Sequence, residues 1–253
     1  MRFLAFLLYT PFLLALPTAP EVVSGEASCV QETPQSLQIT ASDKAILHFD
    51  SFGVGAGEEV RFIQPNSRSS VLGRVVGKDP SEIFGKIEAN GRLFLVNPQG
   101  IYFGPGASVN AGSFIASTLH LLDEDFLKEN YRFFAQGKTG ALIHEGSIHA
   151  VEAVALLGAV VQNRGSIVAE AGRVVLATGE KIALDFTGDG LIQFAVEGEL
   201  ERALIEHCGD IRAKSVDLSL RAAQQAIRTV LNTDGIEVAT AVEESNGVIR
   251  LLG

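Results

Sequence analysis

"EGSIHAVEAVALLGAVVQNRGSIVAEAGRVVLATGEKIALDF", from Glu145 to Phe186, says nearly the same thing twice. Gly-Ser-Ile-His-Ala starts at Gly146 and Gly-Ser-Ile-Val-Ala starts at Gly165. Outward from this pair the unit recurs as "GKIEA" at Gly85 and "GDIRA" at Gly209. Looser forms are "ASVNA" at Ala107, "DGIEVA" at Asp234 and "NGVIRL" at Asn246. The aliphatic slots fall at Ile87, Val109, Ile148, Ile167, Ile211, Ile236 and Val248. Most are separated by one or two multiples of about twenty residues, the span of one solenoid turn.

Within each unit the aliphatic residue and the alanine alternate with polar residues, the period of a strand with one buried face. A glycine or Asn-Gly supplies the turn ahead of it. Second strands follow, as in Val154–Asn163 and Arg173–Phe186. Strands this short, with a turn every few residues, leave no room for the helical crossovers of a doubly wound sheet. The sequence therefore predicts an all-β chain, a parallel β-helix in which every coil pairs with its neighbours and stacks identical slots inside. Its hand is right, as for other parallel crossovers. An antiparallel sandwich could use the same strand lengths, but has no need for one pentapeptide with one inward set. Three stretches carry helical spacing and are read as excursions from a coil: "DEDFLKENYRFFAQ" from Asp123, "VEGELERALIEH" from Val196 and "LRAAQQAIRTVL" from Leu220.

A chain of 253 residues can bury one large core. With no Trp and 15 Phe, that core is mostly aliphatic. The formal net charge of -10 argues against a nucleic-acid partner, whose phosphates call for Lys and Arg. Residues 1–27 read as a secretory signal peptide: Arg2, an apolar run from Phe3 to Leu16, then small residues, with Ala19 and Ala27 as candidate cleavage points. The run is too short and too interrupted by Pro11 to span a membrane. Residues 28–36 then read as a linker and 37–253 as the β-helix domain. Cys29 and Cys208 read as one flexible thiol and one small packed residue, although an oxidising compartment permits a bridge.

The segment "AILHFDSFGVGAGEEVRFIQPNSRSSVLGRVVGKDPSEIFGKIEANGRLFLVNPQGIYFGPG", followed by "SFIAST", resembles the N-terminal secretion domain of the filamentous haemagglutinin family, the exported partner in two-partner secretion. The resemblance runs from about Leu37 to Gly253 and rests on an ordered series of motifs. The chain departs from the usual pattern at Gln99, at Gly73 and at Phe49, where Asn, Asn and Trp are common. It implies a secreted or cell-surface module without catalysis, adhesin- or haemagglutinin-like. An outer-membrane β-barrel transporter with periplasmic domains recognises such a module. It also directs attention to Asn66, Arg74, Asn97, Pro98, Gln99 and Gly100 as recognition residues or folding turns. The residues themselves point to the turn: Pro98 fixes φ, Gly100 permits a positive φ, and Asn97 can bond its own backbone.

Other chemistry is poorly supported. His144 and His149 in "HEGSIH" are five apart, which suits neither a zinc-binding helix nor one face of a strand. "DFTGDG" at Asp185 offers too few oxygens for calcium. "GKTG" at Gly137 has Arg132 where a phosphate loop needs glycine. No metal and no cofactor is expected. The enzymatic alternative, a carbohydrate-active β-helix, would need acids and bases converging on an outer groove.

Overall fold

The computed structural model describes residues 15–18, 20–186, 193–197, 204–220, 241–245 and 248–252. In chain order the strands are β1 (Glu21–Ser24), β2 (Ala27–Thr33), β3 (Ser36–Ala41), β4 (Ala45–Phe49), β5 (Glu59–Ile63), β6 (Ser70–Val75), β7 (Ser81–Ile83), β8 (Lys86–Val96), β9 (Ile101–Phe103), β10 (Ser108–Ser117) and β11 (His120–Leu121). A short helix α1 (Asp123–Leu127) intervenes. There follow β12 (Tyr131–Phe134), β13 (Ala141–His144), β14 (Ser147–Leu157), β15 (Val160–Asn163), β16 (Ser166–Thr178), β17 (Lys181–Asp185), β18 (Gln193–Glu197), β19 (Leu204–His207), β20 (Asp210–Leu220), β21 (Ala241–Ser245) and β22 (Val248–Leu252).

The architecture is a right-handed parallel β-helix. Each long strand covers two sides of a coil. Its first half aligns Leu37, Val60, Ile87, Val109, Ile148, Ile167 and Ile211 in one inward column. Its second half aligns Val71, Leu93, Phe114, Val154, Val174 and Val216. The third side is the parallel sheet β7-β9-β13-β15-β19. Five of the predicted slots thus stack as expected. Val248 does not join them, because β22 lies antiparallel to β20 with Val248 opposite Ser219. Ile236 is outside the described residues.

The two halves of a long strand differ in sequence for a physical reason. "SIHA" and "SIVA" alternate because their outer face meets solvent, whereas "AVALL" and "VVLAT" are unbroken because both faces are covered. The cover is the antiparallel sheet β11-β12-β17-β18 with α1. Phe126, Tyr131, Phe133, Ile182 and Leu184 form a second apolar cluster with the outward Leu72, Phe94, Ile115, Ala155 and Val175. Burial of a large side chain here contributes about 2 kcal/mol, so the excursion is held mainly by this packing.

Several expectations need correction. Residues 28–36, read as a linker, are β2 and its turn, because β2 pairs antiparallel with β3 along its length. Within the segment read as leader, Glu21–Ser24 pairs antiparallel with β4. The stretch from Asp123 is helical only to Leu127, and Tyr131–Phe134 is a strand whose Tyr131 and Phe133 point into the cover's core. In the stretch from Val196 the described residues are strand: Val196 and Glu197 end β18, and Leu204–His207 extends the third side beside β15 as β19. Residues 221–231 lie outside the described residues. Cys208 is exposed rather than packed, Cys29 is exposed on β2, and the two are not bridged.

Candidate functional site

The corners of the coil hold most of the buried polar side chains near the candidate residues. Asn97 follows β8 and is completely buried. Its Nδ2 donates to the carbonyl of Asp79 and to Ser81 Oγ, each at 3.0 Å. Its Oδ1 accepts from the amide of Gln99 at 3.0 Å. Its backbone amide donates to the carbonyl of Ser117, and its carbonyl accepts from Gly100. The side chain therefore ties its own turn to the coil on one side while the backbone pairs with the coil on the other. Gly100 has φ +130°, reserved for glycine. Pro98 accepts from the amide of Gly140, and a Cβ on Gly140 would run into the carbonyl of Gln99. Only the Gln99 side chain is well exposed at this corner.

Asn66 belongs to a different corner. Its Oδ1 accepts from the amides of Arg68 at 2.9 Å and Ser69 at 3.1 Å, closing an exposed turn between β5 and β6. Beneath it lies a cluster that sequence reasoning missed. Gln64, nearly inaccessible, donates from Nε2 to the carbonyls of Ser69 and Arg92 and accepts on Oε1 from Gly91. Asn90 bonds the Gln64 backbone through both ends of its amide. A Cβ on Gly91 would sit 2.6 Å from both Ser69 O and Gln64 Nε2. The buried glutamine in "FIQPN" was the available signal, since an uncharged amide between apolar residues must find partners.

Arg74 occupies a third position, under the cover. Its guanidinium donates to the Asp123 carboxylate and to the carbonyl of Leu121, and lies 3.1 Å from His48 Nε2. It joins the coil to the start of α1. Burial, then the Arg74 charge, hold His48 below the usual histidine range. The structure thus separates the predicted residues into two corners and one clasp, each with a defined structural task.

A groove of about 450 Å³ runs beside the Asn66 turn, lined by Arg61, Ser67, Glu88, Asn110, His149 and Glu152 among others. It is the natural place to look for paired acids. Glu88 is bonded by Lys86 and by Arg61 Nε, and Lys86 first, opposed by partial burial, holds its carboxyl below the usual range. A carboxylate so held is a poor general acid near neutral pH. His149 faces out with Nε2 2.9 Å from Glu170 Oε1, while His144 is fully buried. The two histidines of "HEGSIH" therefore lie on opposite sides of the wall. Among the described residues no three His, Cys, Asp or Glu side chains gather as metal ligands.

A β-helix with antiparallel strands at both ends, whose polar side chains are used to fix corners, is a solenoid module stabilised by the stacking of its coils. The sequence matches the family of the TPS secretion domain over residues 19–251. The chain belongs to that family, the secretion domain of two-partner secretion. It is 30% identical over 246 residues to a heme/hemopexin-binding protein of Haemophilus influenzae, covering 93% of this chain and 27% of that protein. A second Haemophilus influenzae protein of the same description is also 30% identical, over 259 residues, and 28% of it is covered. The crystal structure of the HMW1 secretion domain from Haemophilus influenzae aligns with a TM-score of 0.75 at 30% identity, over 81% of this chain and 56% of that one. The chain thus spans only about a quarter of the length of the curated relatives. Proteins with this domain are exported through the periplasm to the surface or beyond, and the domain implies an outer-membrane β-barrel partner.

Proposed function

We propose that this chain is a non-catalytic secretion module through which an exported protein is recognised by its own outer-membrane β-barrel transporter, by way of that transporter's periplasmic domains. The observation that carries the reading is the family match across nearly the whole chain, residues 19–251. The energetics suit it. A chain that crosses the membrane unfolded gains its stability coil by coil on the far side, because each new coil buries another aliphatic row against the last. That gain opposes return.

Two features supply a physical route for capture. Among the described residues β1 pairs only with β4, and β2 only with β3. Both carry exposed aliphatic residues, Val22, Val23 and Val30. Strands with an open edge and apolar side chains suit strand addition by a partner. The corners at Asn66 and at Asn97 to Gly100, with Arg74, are the recognition residues in this reading. The cargo is a surface adhesin or haemagglutinin-like protein. The relatives described as heme/hemopexin-binding proteins suggest that one module serves cargoes with different ligands.

Co-expression with the transporter encoded nearby tests this. Accumulation in the medium should require the transporter, and secretion indifferent to it would overturn the proposal.

A further inference from the structure

The third side of the coil carries a polar column inside an otherwise aliphatic core. Phe103, His144, Asn163 and His207 occupy one register position on β9, β13, β15 and β19. All four are completely buried. His144 Nδ1 lies 2.7 Å from Asn163 Oδ1, and Asn163 Nδ2 lies 2.9 Å from His207 Nδ1. The Phe103 ring meets the His144 ring edge to face at 5.9 Å. The Nε2 atoms of His144 and His207 are both buried without a hydrogen-bond partner.

We infer that this His144–Asn163–His207 column is an acid-sensitive latch, which lets the last described coils close only while both imidazoles are neutral.

The reason is a count of donors and acceptors. Asn163 offers one carbonyl and one amino group to its two neighbours. In the observed arrangement His144 donates through Nδ1–H to the carbonyl, and the amino group donates to an unprotonated Nδ1 of His207. The carbonyl also receives the Gly165 amide at 3.3 Å. Two protonated rings would present two donors to a single carbonyl. Each would also bury a charged Nε2–H with no acceptor. Flipping the amide can relieve one ring, never both.

The surroundings offer no compensating charge inside the coil. The strands packed on this side, β14, β16 and β20, point Ile148, Ile167 and Ile211 inward, and Asp217, their one fully buried ionisable side chain, faces the cover beside Arg173. The charges that act on the column are Glu145 for His144 and Asp210 for His207, neither of them buried in the core. Burial is the first cause in each case. It lowers His144 from 6.5 to about 4, and lowers His207 as well. The unfolded chain therefore binds protons that the folded column refuses. Stability is full above the unfolded value of 6.5 and falls as the pH drops toward the folded one. At pH 5.5, His144 alone disfavours the closed coils about tenfold. For a module that folds after export, a reading that rests on the proposed function, closure of these coils would then depend on external pH.

Hydrogen exchange of the purified chain at pH 7.5 and pH 5.5, corrected for the intrinsic pH dependence of exchange, tests the latch itself. Peptides covering β13, β15 and β19 should lose at least about tenfold more protection than those covering β8 and β10. The paired substitution His144→Asn and His207→Asn, which keeps an amide column, should abolish that excess. Equal loss in all segments, or an excess that survives the paired substitution, overturns the inference. Should the paired variant fail to fold, the imidazole Cε1–H resonances of the unmodified chain decide. His144 should stay neutral to pH 5.5 while folded and His207 should titrate below the ordinary histidine value; an ordinary titration of either near 6.5 overturns it. Neither measurement involves a transporter, so failure here is distinct from failure of the secretion reading.

Discussion

Replacing Asn97 by alanine gives the sharpest test of how its corner works. The side chain makes three hydrogen bonds, two donated by Nδ2 to Asp79 O and Ser81 Oγ and one accepted by Oδ1 from Gln99. Asn97 and Ser81 are both completely buried. An Asn-Pro-x-Gly turn read without coordinates suggests one local bond and a loss of about 1 kcal/mol. Three bonds at that value suggest about 3 kcal/mol, because the Asp79 carbonyl and the Ser81 hydroxyl lose their partner without gaining water. For a domain of this size that corresponds to a fall in Tm of about 6 to 12 °C. Urea titration and thermal melts followed by circular dichroism measure it. Ser81→Ala serves as control: it removes only the bond from Asn97 Nδ2 to Ser81 Oγ and should cost about 1 kcal/mol. An alanine variant within about 1 kcal/mol of the parent would refute the idea that this amide ties two coils together. Secretion through the cognate transporter should fall more steeply than stability does, and unchanged secretion removes the corner that Asn97 shapes from the recognition surface.

Other outcomes follow from the same geometry. Arg74→Ala removes the clasp between β6 and the start of α1, so residues 120–134 should exchange hydrogen faster while β8 and β10 keep their protection. The same change should raise the pKa of His48 toward the usual histidine value, since Arg74 contributes to holding it down; an NMR titration of the His48 ring reads this directly. Ile148→Asp places an unpaired charge in the inward column between Val109 and Ile167, where the penalty of several kcal/mol should leave no cooperative melt.

Legibility differed from one part of the chain to another. The inward columns were readable because stacking repeats one environment, so the same residue types recur at coil spacing. Val248 misled because a Gly-Val-Ile phrase looks alike whether its strand runs parallel or antiparallel to its neighbour. Direction is set by the path of the chain, not by its composition. The stretch from Val196 misled because charged residues spaced between Leu and Ile fit a helix as well as a strand, and only the free side of β15 decides in favour of β19. Arg74 was picked out by resemblance. Its partner Asp123 lies far along the chain, and no local rule joins them.

By itself the sequence determined the repeat, the aliphatic columns and the turn at Asn97 to Gly100, since all of these depend on periodicity and local backbone preference. The tertiary structure alone decided what the polar residues do. A hydrogen bond from Asn97 to Ser81, the embrace of Gln64 by Asn90 and Gly91, and the column of His144, Asn163 and His207 all join residues in different coils. Such partners are set by how coils register against each other. That register is fixed by burying the aliphatic rows together, and the polar side chains must satisfy their hydrogen bonds with whatever it brings alongside.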